Sequence, residues 1–214
     1  MRKTFSSRRL EVVTLSPSVN VFKERWPALF SEAQIKEEFR RITTVSLEET
    51  FMMKLDQYTP GLLSLMRAKG GAVGSKMRPL LYTVNDTQII EKKRDAVVCC
   101  LIDFLGEKRE DLFYDCQECE DFTDKTIQVI VMHSNMAEED PSDVSIVIEG
   151  NPVLEGCGSR TKACVLLMGL IYALNLEYPK RLKNTFETFQ KLLLELDGDK
   201  LLKKVHSLKN KLMQ

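Results

Sequence analysis

Residues 169–198 read GLIYALNLEYPKRLKNTFETFQKLLLELDG: an apolar helical run, a Tyr178-Pro179 corner and an amphipathic run in direct succession. Upstream, twelve of the fourteen residues in 163–176 are apolar. A helix apolar all round must be covered on nearly every side, so the rest of the chain has to supply that cover. At 1.5 Å per residue the run spans about 21 Å. That is short of the roughly 30 Å of a bilayer core, which points to a buried helix and away from a transmembrane one. Downstream, Leu182, Phe186, Phe189, Leu193 and Leu196 recur at spacings of four and three. Leu201, Val205, Leu208 and Leu212 repeat the pattern after Gly198 shifts its phase. Neither segment sustains the three or four heptads that a coiled coil needs, so intramolecular packing is expected.

Ahead of the apolar helix the period changes to two. Ile127, Val129 and Val131 share one face and Val144, Ile146 and Ile148 another, each run rich in β-branched residues. The polar, proline-containing stretch between them reads as a long hairpin loop, and Val153-Leu154 as a third short strand. A two-stranded ribbon is marginal alone, so the helix that starts at Ser159 is expected to pack on it.

Earlier still, helix signals follow one another. Ser31 and Gln34 form a capping box with a Phe30–Ile35 staple, and Ser46 and Glu49 form a second box. Thr59-Pro60 is expected to begin a further helix that Gly70-Gly71 closes. Residues 73–82 read as a short helix interrupted by Pro79. Another helix is expected from Thr87, capped by Asp86, to Leu105. The acidic stretch 107–125 reads as a solvated connection with one helical candidate over 110–114. The expected fold is α+β and mainly α-helical, with a small antiparallel β-hairpin packed on a buried helix. Residues 1–22 are read as a flexible basic arm and 23–214 as one domain. Within that domain a helical part, 23–106, precedes the connection 107–125, and the hairpin and last helices fill 126–214.

The 214 residues carry 31 basic and 31 acidic side chains, and 43% of them are hydrophobic. This composition suggests neither disorder nor a general polyanion-binding role. Charge is nonetheless unevenly spread. Arg2, Lys3, Arg8 and Arg9 precede the first acid, and Lys200, Lys203, Lys204, Lys209 and Lys211 follow the last. Without an apolar leader at the N-terminus, the six cysteines are expected in a reducing, intracellular compartment.

Four constellations bear on chemistry. Gly156-Cys157-Gly158-Ser159 lies between a strand and a helix, where backbone amides could hold a phosphate. The third glycine of a dinucleotide fingerprint is replaced by Thr161 and no parallel strand follows, so a capping turn with Ser159 as N-cap is the better account. Gly71-x-x-Gly74 resembles a KH-type clamp without its strands, and reads as a helix connection. Cys116 and Cys119 have zinc-ligand spacing, with only His133, His206, Cys157 or another scattered cysteine to complete a site. The terminal basic residues suit a helix dipole as well as a nucleic acid. No nucleophile elbow or histidine-centred site is visible, so no catalytic, cofactor-binding or metal-binding residue is assigned.

Five blocks together carry a family resemblance: Arg25-Trp26-Pro27-Ala28-Leu29-Phe30, Lys69-Gly70-Gly71, Val147-Ile148-Glu149-Gly150, the run 169–179, and Leu196-Asp197-Gly198-Asp199-Lys200-Leu201. Over about 20–214 the chain resembles the C-terminal region of the sterile alpha motif domain-containing protein 3-like family. The sterile alpha motif itself is not expected in the short stretch ahead of Trp26. The resemblance implies no activity, cofactor, ligand or catalytic residue.

The functional expectation is a non-catalytic intracellular protein-interaction module, cytoplasmic or nuclear, with a protein partner. One alternative is a nucleic-acid-associated protein that uses the basic terminal segments. Another is a nucleotide-binding enzyme that uses the Gly156–Ser159 loop.

Overall fold

In the computed structural model, which describes residues 1–117, 121–135, 140–198 and 200–213, the chain divides into two compact units, each assembled from two sequence segments. Residues 1–48 and 112–179 form the first, and 49–111 with 180–214 the second. The units do not follow the contiguous parts 23–106, 107–125 and 126–214.

The first unit opens with α1 (Phe5–Leu15), α2 (Val19–Arg25) and α3 (Glu32–Thr43). Residues 1–22, expected as a flexible arm, are largely helical. Their anchor is polar: Arg8, fully buried, donates two hydrogen bonds to Glu38 Oε1 and one, at 2.6 Å, to Oε2. Ser31 does precede α3, but its hydroxyl donates to the Ala28 carbonyl and makes no capping bond.

The predicted hairpin is present as β2 (Ile127–Met132) and β3 (Asp143–Ile148), antiparallel with Val129 opposite Ile146. It is the centre of a four-stranded mixed sheet. β1 (Phe113–Cys116) runs parallel to β2, and β4 (Asn151–Leu154) antiparallel to β3. β1 lies where the acidic connection and a short helix were expected. Phe113 and Cys116 bury their side chains while Asp115 turns outward, so the short strand offers only two buried positions and an acid between them.

The apolar helix is α7 (Arg160–Leu174), in which Ser159 Oγ accepts the Lys162 N–H at 3.1 Å as predicted. It packs on β2 and β3. Its other cover in this unit is α3, an element the sequence places far upstream. The two helices approach closely at Gly169, where an added Cβ would stand 2.5 Å from Ile35 Cγ2. The opposite face of the sheet has its own small core of Cys116, Ile130 and Val147, flanked by Tyr114, Phe122 and Met132.

The second unit holds most of α4 (Leu47–Arg67), then α5 (Gly71–Asp86), α6 (Ile90–Phe104), α8 (Lys183–Thr188) and α9 (Lys203–Leu212). Pro60 does not start a helix, since α4 continues through it, with Thr59 Oγ1 donating to the Leu55 carbonyl. Leu55, Leu62 and Met66, one buried stripe, give the helix reason to continue. Pro79 is likewise inside α5. α6 starts three residues after the expected position, because the Thr87 hydroxyl accepts the Ile89 N–H before the helix begins. Glu107, expected in a solvated connection, accepts the backbone N–H groups of Asn184 and Thr185 at the start of α8.

Candidate functional site

α4 and α5 meet through a turn at Lys69-Gly70-Gly71, in which Gly71 has φ +69°. This is left-handed backbone, which glycine adopts without steric cost. Gly74 then fixes the approach: a Cβ there would lie 1.9 Å from the Lys69 carbonyl oxygen, so only glycine admits this turn. From Gly74 on, Arg78, Leu81, Tyr82 and Asn85 recur at helical spacing and share one face of α5. Together with Met66, Arg67 and Lys69 they line a cleft of about 260 Å³.

The floor of this cleft is apolar, with Met66 and Leu81 buried, and its rim is cationic. Arg67, Lys69 and Arg78 are exposed and no acid lines the cleft with them. Arg67 Nη2 donates to Asn85 Oδ1 at 2.7 Å, which orients the guanidinium without neutralising it. The Lys69 ammonium stands 5.8 Å from the centre of the Phe104 ring, another uncharged partner. Lys76, on the same helix, is different: Asp103 and Glu110 stand 3.0 Å and 3.2 Å from its ammonium. Among the described residues the cleft cations thus have no acidic partner, in contrast to Lys76. Tyr82, 62% exposed, adds an aromatic face at the rim.

The first unit gathers polar groups at one end of its sheet. Because β1 and β2 are parallel, Asp115 and His133 end side by side, with His133 Nε2 2.9 Å from Asp115 Oδ1. Arg160, at the start of α7, donates to the same oxygen at 2.5 Å. His133 Nδ1 is buried and makes no hydrogen bond among the described residues. The Gly156–Ser159 loop borders this end, and two of its amides are occupied. The Gly156 N–H donates to Asp143 Oδ1 and the Cys157 N–H to the Val144 carbonyl. An acid also stands at this helix start, as Glu32 Oε2 is 2.8 Å from Lys162 Nζ. Hydrogen bonds from Lys162 and then Lys36 hold the Glu32 carboxyl below its usual range. The loop is built as a capping turn: Ser159 caps α7, and the amides of Gly156 and Cys157 are committed to the protein.

Other residues singled out from the sequence are placed apart from any assembled chemistry. Burial pushes the thiols of Cys100 and Cys157 up to about 12, far from a nucleophile's range. Among the described residues no three His, Cys, Asp or Glu side chains gather as a metal would need. The Cys116 side chain is buried, and Cys119 lies outside the described residues. His206 sits on α9 beside Asn210. Of the terminal basic residues, Arg8 is paired with Glu38, Arg9 donates to the Tyr172 carbonyl at the end of α7, and Lys204 donates to the Leu105 carbonyl at the end of α6. Trp26 is half-buried and donates to Glu11 Oε2, with the Arg8 guanidinium over its ring. No described helix is long and apolar enough to cross a membrane.

Residues 1–31 match the family model described as sterile alpha motif domain-containing protein 3, helical domain. Comparison with curated proteins and with solved structures gave no match.

Proposed function

We propose a non-catalytic, protein-binding role for this chain, which we read as a member of the sterile alpha motif domain-containing protein 3-like family on the match at residues 1–31. The α4–α5 cleft is its binding site and an acidic segment of a partner protein its ligand. The observation that carries this reading is the rim of Arg67, Lys69 and Arg78, unopposed by any acid in the lining, over a floor of Met66 and Leu81. An apolar floor inside a polar rim is the anatomy of a small protein-recognition pocket, and opposite charge steers the partner to it. The role is set inside the cell, in cytoplasm or nucleus, where buried thiols such as Cys100 and Cys157 persist as small apolar groups.

A nucleic-acid role through the basic termini has less support. Arg8, Arg9 and Lys204 are committed to intramolecular contacts, which removes part of the charge that role would use. Affinity purification from cells with wild-type protein and an Arg67→Glu/Arg78→Glu variant tests the proposal. Reproducible partners lost from the variant at unchanged melting temperature are expected, and identical partner sets for the two proteins would overturn the reading.

A further inference from the structure

We infer that the α4–α5 cleft recognises a phosphorylated side chain in a peptide segment, an inference that rests on the protein-binding reading above and narrows its ligand. Three positive charges surround one small mouth, and among the described residues none of them forms an ion pair. Like charges held together repel, and a single carboxylate answers only one of them. A phosphoryl group carries about −1.5 to −2 charge at neutral pH on three acceptor oxygens. It therefore meets the charge of the rim within the space of one side chain.

The donors suit that shape. Arg67 and Arg78 offer planar forks that match phosphoryl oxygens, and Arg67 is already oriented by Asn85 at 2.7 Å. Lys69 adds a compact charge from the turn. The start of α5 lies at the same mouth, since Gly74 in its first turn lines the cleft. That helix has no side-chain cap and no acid in its first turn, so its positive end is uncompensated. A Cβ on Gly70 or Gly71 would meet nothing within 4 Å, which leaves the backbone approachable there.

Size selects a peptide over an RNA strand. About 260 Å³ lies just under the usual range for ligand pockets, enough for a phosphorylated side chain with one apolar neighbour on Met66 and Leu81. Strand binding uses a groove that tracks successive phosphates with stacked bases, whereas this rim carries one exposed aromatic, Tyr82.

Fluorescence anisotropy of the full chain tests the inference. The probes are labelled degenerate heptapeptides with a fixed central phosphoserine, phosphotyrosine, serine or glutamate, and a single-stranded RNA 12-mer, each at low and physiological salt. A phosphorylated set is expected to bind at least about tenfold tighter than the serine set, with the difference shrinking as salt rises. Inorganic phosphate should compete, and Arg67→Gln and Arg78→Gln should each remove most of the preference at unchanged melting temperature. Lys203→Gln on α9 should leave it intact. If the phosphorylated and serine sets bind alike, the phosphoryl inference is overturned. If the glutamate set binds as tightly as the phosphorylated ones and is lost in both variants, the inference falls and the acidic-segment reading stands. RNA binding tighter than any peptide and lost in both variants would overturn both. If no probe binds, the inference falls, and the partner comparison with the charge-reversed protein decides the wider reading separately.

Discussion

Arg8 Nη2 and Glu38 Oε2 stand 2.6 Å apart with side chains only 1% and 4% exposed, tying α1 to α3 across thirty residues of sequence. Removing one member of a buried pair leaves an uncompensated charge, which costs about 3–5 kcal/mol. Here Arg41 Nη1, 2.9 Å from the same oxygen, remains to satisfy part of Glu38. Arg8→Ala is therefore expected to destabilise the first unit by about 3 kcal/mol, at the lower end of that range. Urea unfolding measures the loss, and amide exchange should show residues 5–15 losing protection first. Unchanged exchange in that stretch would mean that α1 is held by other contacts.

The same pair explains why α1 was illegible. Its exposed face carries Leu10, Val13 and Leu15, which blurs the amphipathic period, and its fixing contact is polar and non-local. α7 and the β2–β3 hairpin were readable because their burial is written in local period, 3.6 for one and 2 for the other. β1 was not, since four residues with an acid among them carry too little pattern. Pro60 reads as the start of a helix and Pro79 as an interruption, yet a long buried face on each side of the ring outweighs one missing hydrogen bond. The cleft was the least legible feature. Its cations are spread over residues 67–78 and converge only once α5 has formed and Gly74 has set the turn against Lys69.

Gly169 marks where α7 and α3 touch. An added Cβ would stand 2.5 Å from Ile35 Cγ2 and 2.7 Å from Leu47 Cδ2, both methyl carbons of fully buried residues. Alanine favours a helix over glycine by about 1 kcal/mol. Overpacking a core costs about 1–3 kcal/mol. The clash is expected to win, so Gly169→Ala should lower the stability of the first unit by about 1 kcal/mol. Adding Ile35→Ala vacates the clashing methyl, and a double-mutant cycle should show strong non-additivity. Additive losses would place the damage elsewhere.

Cys100 and Cys157 give the protein a pH signature. Burial raises both thiols from 9.0 to about 12, so between those values the unfolded chain releases protons that the folded chain keeps. Stability is thus intact below pH 9 and falls as pH rises toward 12, by up to about 1.4 kcal/mol per pH unit for each thiol. Chemical unfolding at pH 8, 9 and 10 should show this slope reduced in a Cys100→Ala/Cys157→Ala variant. Iodoacetamide at pH 8 should leave both thiols unmodified in the folded protein and label them in urea. Rapid labelling of either in the native state would contradict its burial.

Gly74 and Gly71 separate two uses of glycine around one turn. At Gly74 the added carbon would meet backbone, 1.9 Å from the Lys69 carbonyl oxygen and 2.9 Å from its carbon, and a peptide group cannot rotate aside as a side-chain end can. Gly74→Ala therefore has to pull the turn away from α5, which draws Lys69 off the Phe104 ring and opens the rim of the cleft. The cost is expected near the upper part of the roughly 1–3 kcal/mol typical of overpacking, well beyond the 1 kcal/mol that alanine returns in helix propensity. Gly71→Ala meets no atom within 4 Å and pays only for its φ of +69°, about 1–2 kcal/mol. Both variants lose stability in urea unfolding, but only Gly74→Ala should also lose the cleft's affinity for a phosphorylated or acidic peptide. Equal affinity losses in the two would show that the turn's flexibility, and not the contact of Gly74 with Lys69, sets the shape of the cleft.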